Sequence, residues 1–125
     1  MEINPKAHKY AEENVKLNKI KNVDLINGDV REVLPKIEDK FDRILMPLPK
    51  TAEEFLDVAL LKVKNNGVIH LYSFISLSKV PEMEEKIKKI CKENNKSCKI
   101  LEVVKCGQFS PEEFRICFDI KIKDL

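Results

Sequence analysis

The chain has 125 residues, 35% of them charged and 43% in the AVILMFWYC group, with 23 basic and 21 acidic side chains for a net charge of +2. That composition describes a charged surface around a real core and excludes a disordered segment, and the length suits one domain. The longest uncharged stretches, such as Gly67 to Ser78, fall far short of the roughly 20 apolar residues that a membrane helix needs. A charge this close to balance neither demands nor excludes a nucleic-acid partner, so local clustering matters more than the sum. Cys91, Cys98, Cys106 and Cys117 form no C-x-x-C pair. With no secretory-signal pattern visible, free thiols, no metal and a cytoplasmic location are the expectation.

Pro5 suits the first turn of a helix, and Ala7, Ala11 and Val15, joined by Tyr10 and Leu17, share one face at helical spacing, which predicts a helix ending near Asn18. Val23 to Ile26 reads as a short strand running into the turn Asn27-Gly28-Asp29. Val30 to Ile37 is a short segment holding a helical turn interrupted by Pro35. Phe41 to Met46 is an apolar strand that stops at Pro47, and Pro47-Leu48-Pro49 is a stiff loop because proline cannot donate to a ladder. Thr51-Ala52-Glu53-Glu54 has capping-box spacing, and Ala52, Phe55, Leu56, Ala59, Leu60 and Val63 form an apolar stripe. They predict a helix closed by Asn65-Asn66-Gly67.

Val68 to Phe74 then reads as a strand buried on both faces, and Val80, Met83, Ile87, Ile90 and Cys91 mark a second amphipathic helix. Ser97 to Lys105 and Phe114 to Lys123 are two strands joined by the turn-rich Gly107 to Pro111, a connection short enough to make them antiparallel. The whole is an α/β chain of a single domain that ends in a hairpin.

Three strand ends, Glu2 to Pro5, Gly28-Asp29 and Met46 to Lys50, are expected on the carboxyl edge of a parallel sheet, where ligands bind in open α/β folds. There Glu2 suits the vicinal hydroxyls of a ribose, and Asp29 the amino group of an adenine. Either carboxylate taken singly is as well explained by ordinary surface chemistry. His70, in mid-strand, reads as a hydrogen-bonded imidazole rather than a catalytic one, and His8 as a surface residue. Lys50, Lys105 and Arg115, near loop edges, suit phosphates as well as a plain solvated face. Tyr72 and Phe109 read as core aromatics, with base stacking the alternative.

Glu2-Ile3-Asn4-Pro5, Asn14 to Asn18, Gly28 to Glu32, Asp42 to Lys50 and Gly67 to His70 together resemble the catalytic domain of the Met-10+-like family. That family comprises archaeal and eukaryotic tRNA (guanine-N1)-methyltransferases acting beside the anticodon, and the related wybutosine-pathway aminocarboxypropyl transferases. The resemblance implies the carboxyl-terminal portion of a Rossmann-like class I methyltransferase sheet, with S-adenosylmethionine as cofactor. It implies a cofactor-binding set of Glu2, Asn4, Asp29 and Val30, with Glu2 on the ribose and Asp29 and Val30 on the adenine.

It also implies that Pro47, Leu48 and Pro49 face the target base. Pro47 stands where an asparagine commonly opens that loop, which leaves the backbone carbonyls, or an altered transfer, in its place. For RNA contact the candidates remain Lys50, Lys105 and Arg115, on their place near the loop edges. On this reading the first strand and its glycine-rich loop lie upstream of Met1, so the chain is expected to be cut from a longer parent whose upstream domains meet tRNA. Its open strand edges are then expected to favour homo-oligomers. The alternative is a noncatalytic α/β module that kept the scaffold and lost the cofactor site.

Overall fold

A computed structural model of the protein describes residues 1–47 and 51–125. The chain divides into two compact units, Met1–Glu38 and Asp39–Leu125.

In the first unit, helix α1 spans Pro5–Leu17, with Pro5 in its first turn and Asn4 as cap, its side chain accepting from the Lys6 amide at 2.9 Å. This is where proline and a short polar side chain satisfy a helix start. Lys19 adopts φ 52 just past the end, and the amides of Lys19 and Ile20 return to the carbonyls of Lys16 and Val15, a Schellman closure. Val23 to Ile26 does not form the expected strand. Its pairing is one parallel rung, Glu2 opposite Asn27, in which the Glu2 amide donates to Ile26 and the Gly28 amide to Glu2, each at 3.0 Å. A ladder needs a run of extended residues on both sides, and α1 takes the chain away after Asn4. Helix α2, Val30–Val33, is capped by Asp29 and runs into a 3-10 turn, Leu34–Lys36, that carries Pro35.

The second unit is a four-stranded sheet in the order β1-β2-β4-β3. Its strands are β1 (Phe41–Met46), β2 (Val63–Ser76), β3 (Lys96–Gln108) and β4 (Glu113–Asp124). β1 and β2 are parallel, with Ile44 beside Ile69 and Met46 beside Leu71. β4 is antiparallel to both β2 and β3, as expected of the closing hairpin. Helices α3 (Leu56–Leu60) and α4 (Val80–Glu93) supply the other layer. Leu56 and Leu60 of α3, Ile87 and Cys91 of α4, Ile69 and Leu71 of β2, and Ile116, Phe118, Ile120 and Ile122 of β4 form one core. Alternate residues of a strand face the same side, so this core fixes one face of the sheet against the helices. On the other face Val68, His70, Tyr72 and Phe74 are only half-buried. β2 is therefore covered on one face rather than two.

The helix expected from Ala52 to Val63 is much shorter. Ala52–Phe55 is a 3-10 turn, α3 ends at Leu60, and Thr51 makes no side-chain cap bond. The amides of Leu61 and Lys62 close the helix on Val58 and Ala59, and Lys62 then accepts from the Phe41 amide at 2.7 Å, so the chain is already in the sheet at Val63. The apolar stripe itself holds, because Ala52, Leu56, Ala59 and Leu60 are all buried. Asn65-Asn66-Gly67 is a kink within β2 rather than a helix end. Asn66 takes φ 68, and the pairing with β1 jumps from Phe41 opposite Val63 to Arg43 opposite Val68.

All four cysteines are free, and no helix of the described residues is long and apolar enough to cross a membrane.

Candidate functional site

In the first unit the rung between Glu2 and Asn27 sets two acidic segments side by side. The Asn27 amide group donates to the carbonyl of Glu2 at 2.7 Å and of Ile3 at 3.3 Å, locking the turn that presents Gly28 and Asp29. Glu2 Oε1 accepts from the Asn4 amide at 3.0 Å, and Asp29 Oδ1 from the Arg31 amide at 2.9 Å. Each carboxylate is thus pinned by one oxygen. The second oxygen of each has no partner among the described residues. Val30 opens α2, so its amide has no acceptor within the helix.

This donor and acceptor set fits an adenosyl group: a carboxylate for ribose hydroxyls, and a carboxylate beside a free amide for the amino and ring-nitrogen edge of adenine. The structure therefore brings Glu2, Asp29 and Val30 together. Asn4, the fourth residue of the expected set, caps α1, its side-chain oxygen accepting from the Lys6 amide. In the sequence the only signal for Asn27 is its place in an Asn-Gly turn.

In the second unit Pro47 is exposed at the end of β1. Leu48, Pro49 and Lys50 lie outside the described residues. On the sheet face away from the helices a polar chain crosses three strands. Arg43 Nη1 is 2.5 Å from His70 Nε2, His70 Nδ1 is 2.5 Å from Asp119 Oδ1, and Cys117 Sγ donates to the same oxygen at 3.4 Å. Burial, then the carboxylate of Asp119, push the Cys117 thiol up to about 11. The charge of that thiol in turn raises the Tyr72 phenol.

His70, Cys117 and Asp119 offer ligand atoms within 4.8 Å of one another, yet this arrangement does not fit a cation. Arginine can only donate, so Nε2 accepts and the ring proton sits on Nδ1, directed at Asp119. An imidazole held in that way has no lone pair left for a metal.

Of the basic residues expected to meet RNA, Lys105 and Arg115 lie near the turn end of the hairpin, where Gln108 pairs with Phe114. Lys105 Nζ sits 4.2 Å over the ring of Phe114, and Arg115 Cζ 4.8 Å over that of Tyr72. Their strand partners put them on opposite faces: Lys105 pairs with the core residue Ile116, Arg115 with Phe74. Phe109 is not a core aromatic, since it is 58% exposed. His8 pairs with Glu12 at 3.1 Å one helical turn along α1.

The model of the TRM5/TYW2 methyltransferase domain matches residues 1–101. Over 97% of its length the chain is 39% identical to the tRNA (guanine(37)-N(1))-methyltransferase Trm5b of Pyrococcus abyssi. The crystal structure of that protein superposes with a TM-score of 0.85. A tRNA(Phe) (4-demethylwyosine(37)-C(7)) aminocarboxypropyltransferase of Methanocaldococcus jannaschii is 32% identical over 98% of the chain. The structure of M. jannaschii TYW2 in complex with AdoMet matches at TM-score 0.86 and 30% identity, covering 98% of this chain and 55% of that one. The chain spans 36% of the Pyrococcus protein and 49% of the Methanocaldococcus transferase. With the domain model covering most of its length and relatives of this identity along nearly all of it, the chain belongs to the TRM5/TYW2 methyltransferase-domain family.

Proposed function

We propose that the chain forms part of the catalytic domain of a cytoplasmic, S-adenosylmethionine-dependent enzyme that modifies nucleotide 37 of tRNA, by methyl transfer to guanine N1. The observation that carries this is the pairing of Glu2 with Asn27, which sets two half-engaged carboxylates and the Val30 amide beside one another. When bound, the cofactor supplies an electrophilic carbon on a sulfonium. Glu2 accepts from the ribose hydroxyls, Asp29 accepts from the adenine amino group, and the Val30 amide donates to an adenine ring nitrogen. Transfer would put that methyl on guanine N1, with the N1 proton passing to solvent and the thioether as the leaving group, while Glu2, Asp29 and Val30 would keep the adenosyl end in place. Such a transfer gains most from positioning, which suits a chain whose polar groups at this rung are placed to hold a ligand.

A second reading is aminocarboxypropyl transfer to a wyosine base. Pro47 favours it, because that exposed residue has no side-chain donor at the position where the resemblance puts an asparagine. A third is a scaffold without cofactor. The outer edges of β1 and β3 support self-association in solution, which sedimentation would measure. Titration calorimetry with S-adenosylhomocysteine tests the central proposal. Heat that saturates at one ligand per chain supports it, and a folded sample that gives none leaves the scaffold reading.

A further inference from the structure

β2 and β4 run on past the end of β1. Met46, the last residue of β1, pairs with Leu71, whereas β2 continues to Ser76 against Glu113. This overhang lies at the carboxyl ends of the two parallel strands, the edge where α/β sheets bind ligands. On its face away from α3 and α4, Phe74 is paired with Arg115, and Arg115 with Gly107 from the far side. Phe109 leans on Phe74 with ring centroids 5.0 Å apart and stays 58% exposed. The guanidinium of Arg115 is held 4.8 Å over Tyr72. Gly107 leaves the floor beside Arg115 open, since a Cβ there would meet nothing within 4 Å.

A pair of rings, one largely exposed, beside a positioned guanidinium and an open floor is what an unstacked nucleotide needs: a flat surface for its base and a donor for its phosphate. A duplex would use the cation but has no base face to offer the ring. An apolar peptide would use the ring but gain nothing from a guanidinium at the centre.

We propose that the overhang is a stacking platform for one unpaired base of an RNA substrate, with Phe109 supplying the ring face and Arg115 the phosphate contact. This rests on the RNA-modifying reading for which nucleic acid arrives, and adds where one of its bases is held.

The test is fluorescence anisotropy of the full chain with a labelled anticodon stem-loop, with an unlabelled blunt RNA duplex as competitor. Phe109→Ala is expected to weaken loop binding about 10-fold with an unchanged salt slope, because stacking carries no charge. Phe109→Trp keeps the affinity. A Cβ at Gly107 meets nothing within 4 Å, so Gly107→Val, which builds out over that open floor, is expected to lose affinity while its urea midpoint stays that of the wild type. Arg115→Gln reduces the salt slope by about one.

The proposal is overturned if the wild-type chain does not bind the stem-loop, or if Phe109→Ala and Gly107→Val both bind as tightly as wild type. It is also overturned if Phe109→Leu keeps full affinity, which identifies a plain apolar contact, or if the duplex competes equally well. Calorimetry with S-adenosylhomocysteine on the same proteins separates this idea from the transferase reading. Loop binding through Phe109 without cofactor heat removes only the latter, and cofactor heat with an inert Phe109 removes only the platform.

Discussion

Arg43 Nη1 lies 2.5 Å from His70 Nε2, and this contact decides which ring nitrogen carries the proton. The proton is left on Nδ1, facing Asp119. Nitrogen-15 NMR of the imidazole is expected to show the Nδ1–H tautomer at neutral pH. Zinc is expected to leave the melting temperature of the wild type unchanged and to raise that of Arg43→Met, in which the proton can move to Nε2 and free Nδ1. A zinc-stabilised wild type would contradict the tautomer.

Glu2 and Asp29 differ in what their removal should cost. Glu2→Gln keeps the acceptor for the Asn4 amide and loses the charge. Hydrogen bonds to a charged group contribute about 1.5–3 kcal/mol, so affinity for S-adenosylhomocysteine should fall roughly 10- to 100-fold by calorimetry, with little change in stability. Asp29→Ala should weaken binding and also cost about 1 kcal/mol of stability, read from a urea titration, because it removes the cap of α2.

Cys98 should be a reactive thiol at neutral pH. The neighbouring Cys91 thiol, helped by the charge of Lys88 and opposed by burial, brings it down to about 7 from an ordinary 9.0. Its alkylation rate by iodoacetamide, followed peptide by peptide, should rise through pH 7 and level off, and Cys91→Ala should move that midpoint upward. The folded value lies below the unfolded one, so this group's stabilising contribution is complete above about pH 9 and fades as pH falls through 7.

Gly67 sits where β2 kinks. A Cβ there would come within 2.7 Å of the Val63 side chain, 2.8 Å of the Lys64 carbonyl and 3.0 Å of the Asp42 carbonyl. Two of those neighbours are backbone and cannot swing aside, so Gly67→Ala should cost about 1–3 kcal/mol, as overpacking does. Asn66→Gly, which relieves a left-handed φ of 68, should leave the melting temperature the same or slightly higher.

The parts of this fold legible in the sequence are those set by periodicity. The face of α4, the hairpin of β3 and β4 and the stripe of Ala52, Leu56, Ala59 and Leu60 all follow from spacing. The extent of α3 did not, because Asn65-Asn66-Gly67 serves a strand kink as well as a helix end, and only the pairing of Phe41 with Val63 decides between them. Val23 to Ile26 forms no strand because β-favouring residues make a ladder only where a neighbour continues beside them. For the site, Glu2 and Asp29 stood out as carboxylates at strand ends. Asn27 did not, since its role depends on carbonyls more than 20 residues away. The aromatic and basic residues at the hairpin end were visible as types, but the register that gathers Phe74, Gly107 and Arg115 was not.

Leu34 is the one buried side chain among Met1–Glu38, and α1 buries none. The unit holding Glu2 and Asp29 is therefore kept in shape by caps, a Schellman closure and a single rung, with little apolar burial to resist opening. Segments of that kind open at far lower free energy than a packed core. Amide hydrogen exchange should be fast at Glu2 and Gly28 and slow at Ile69 and Phe118. Ligand capture would then spend part of its affinity on ordering this unit, and saturating adenosyl ligand should slow exchange at Gly28 while leaving the sheet core as it was.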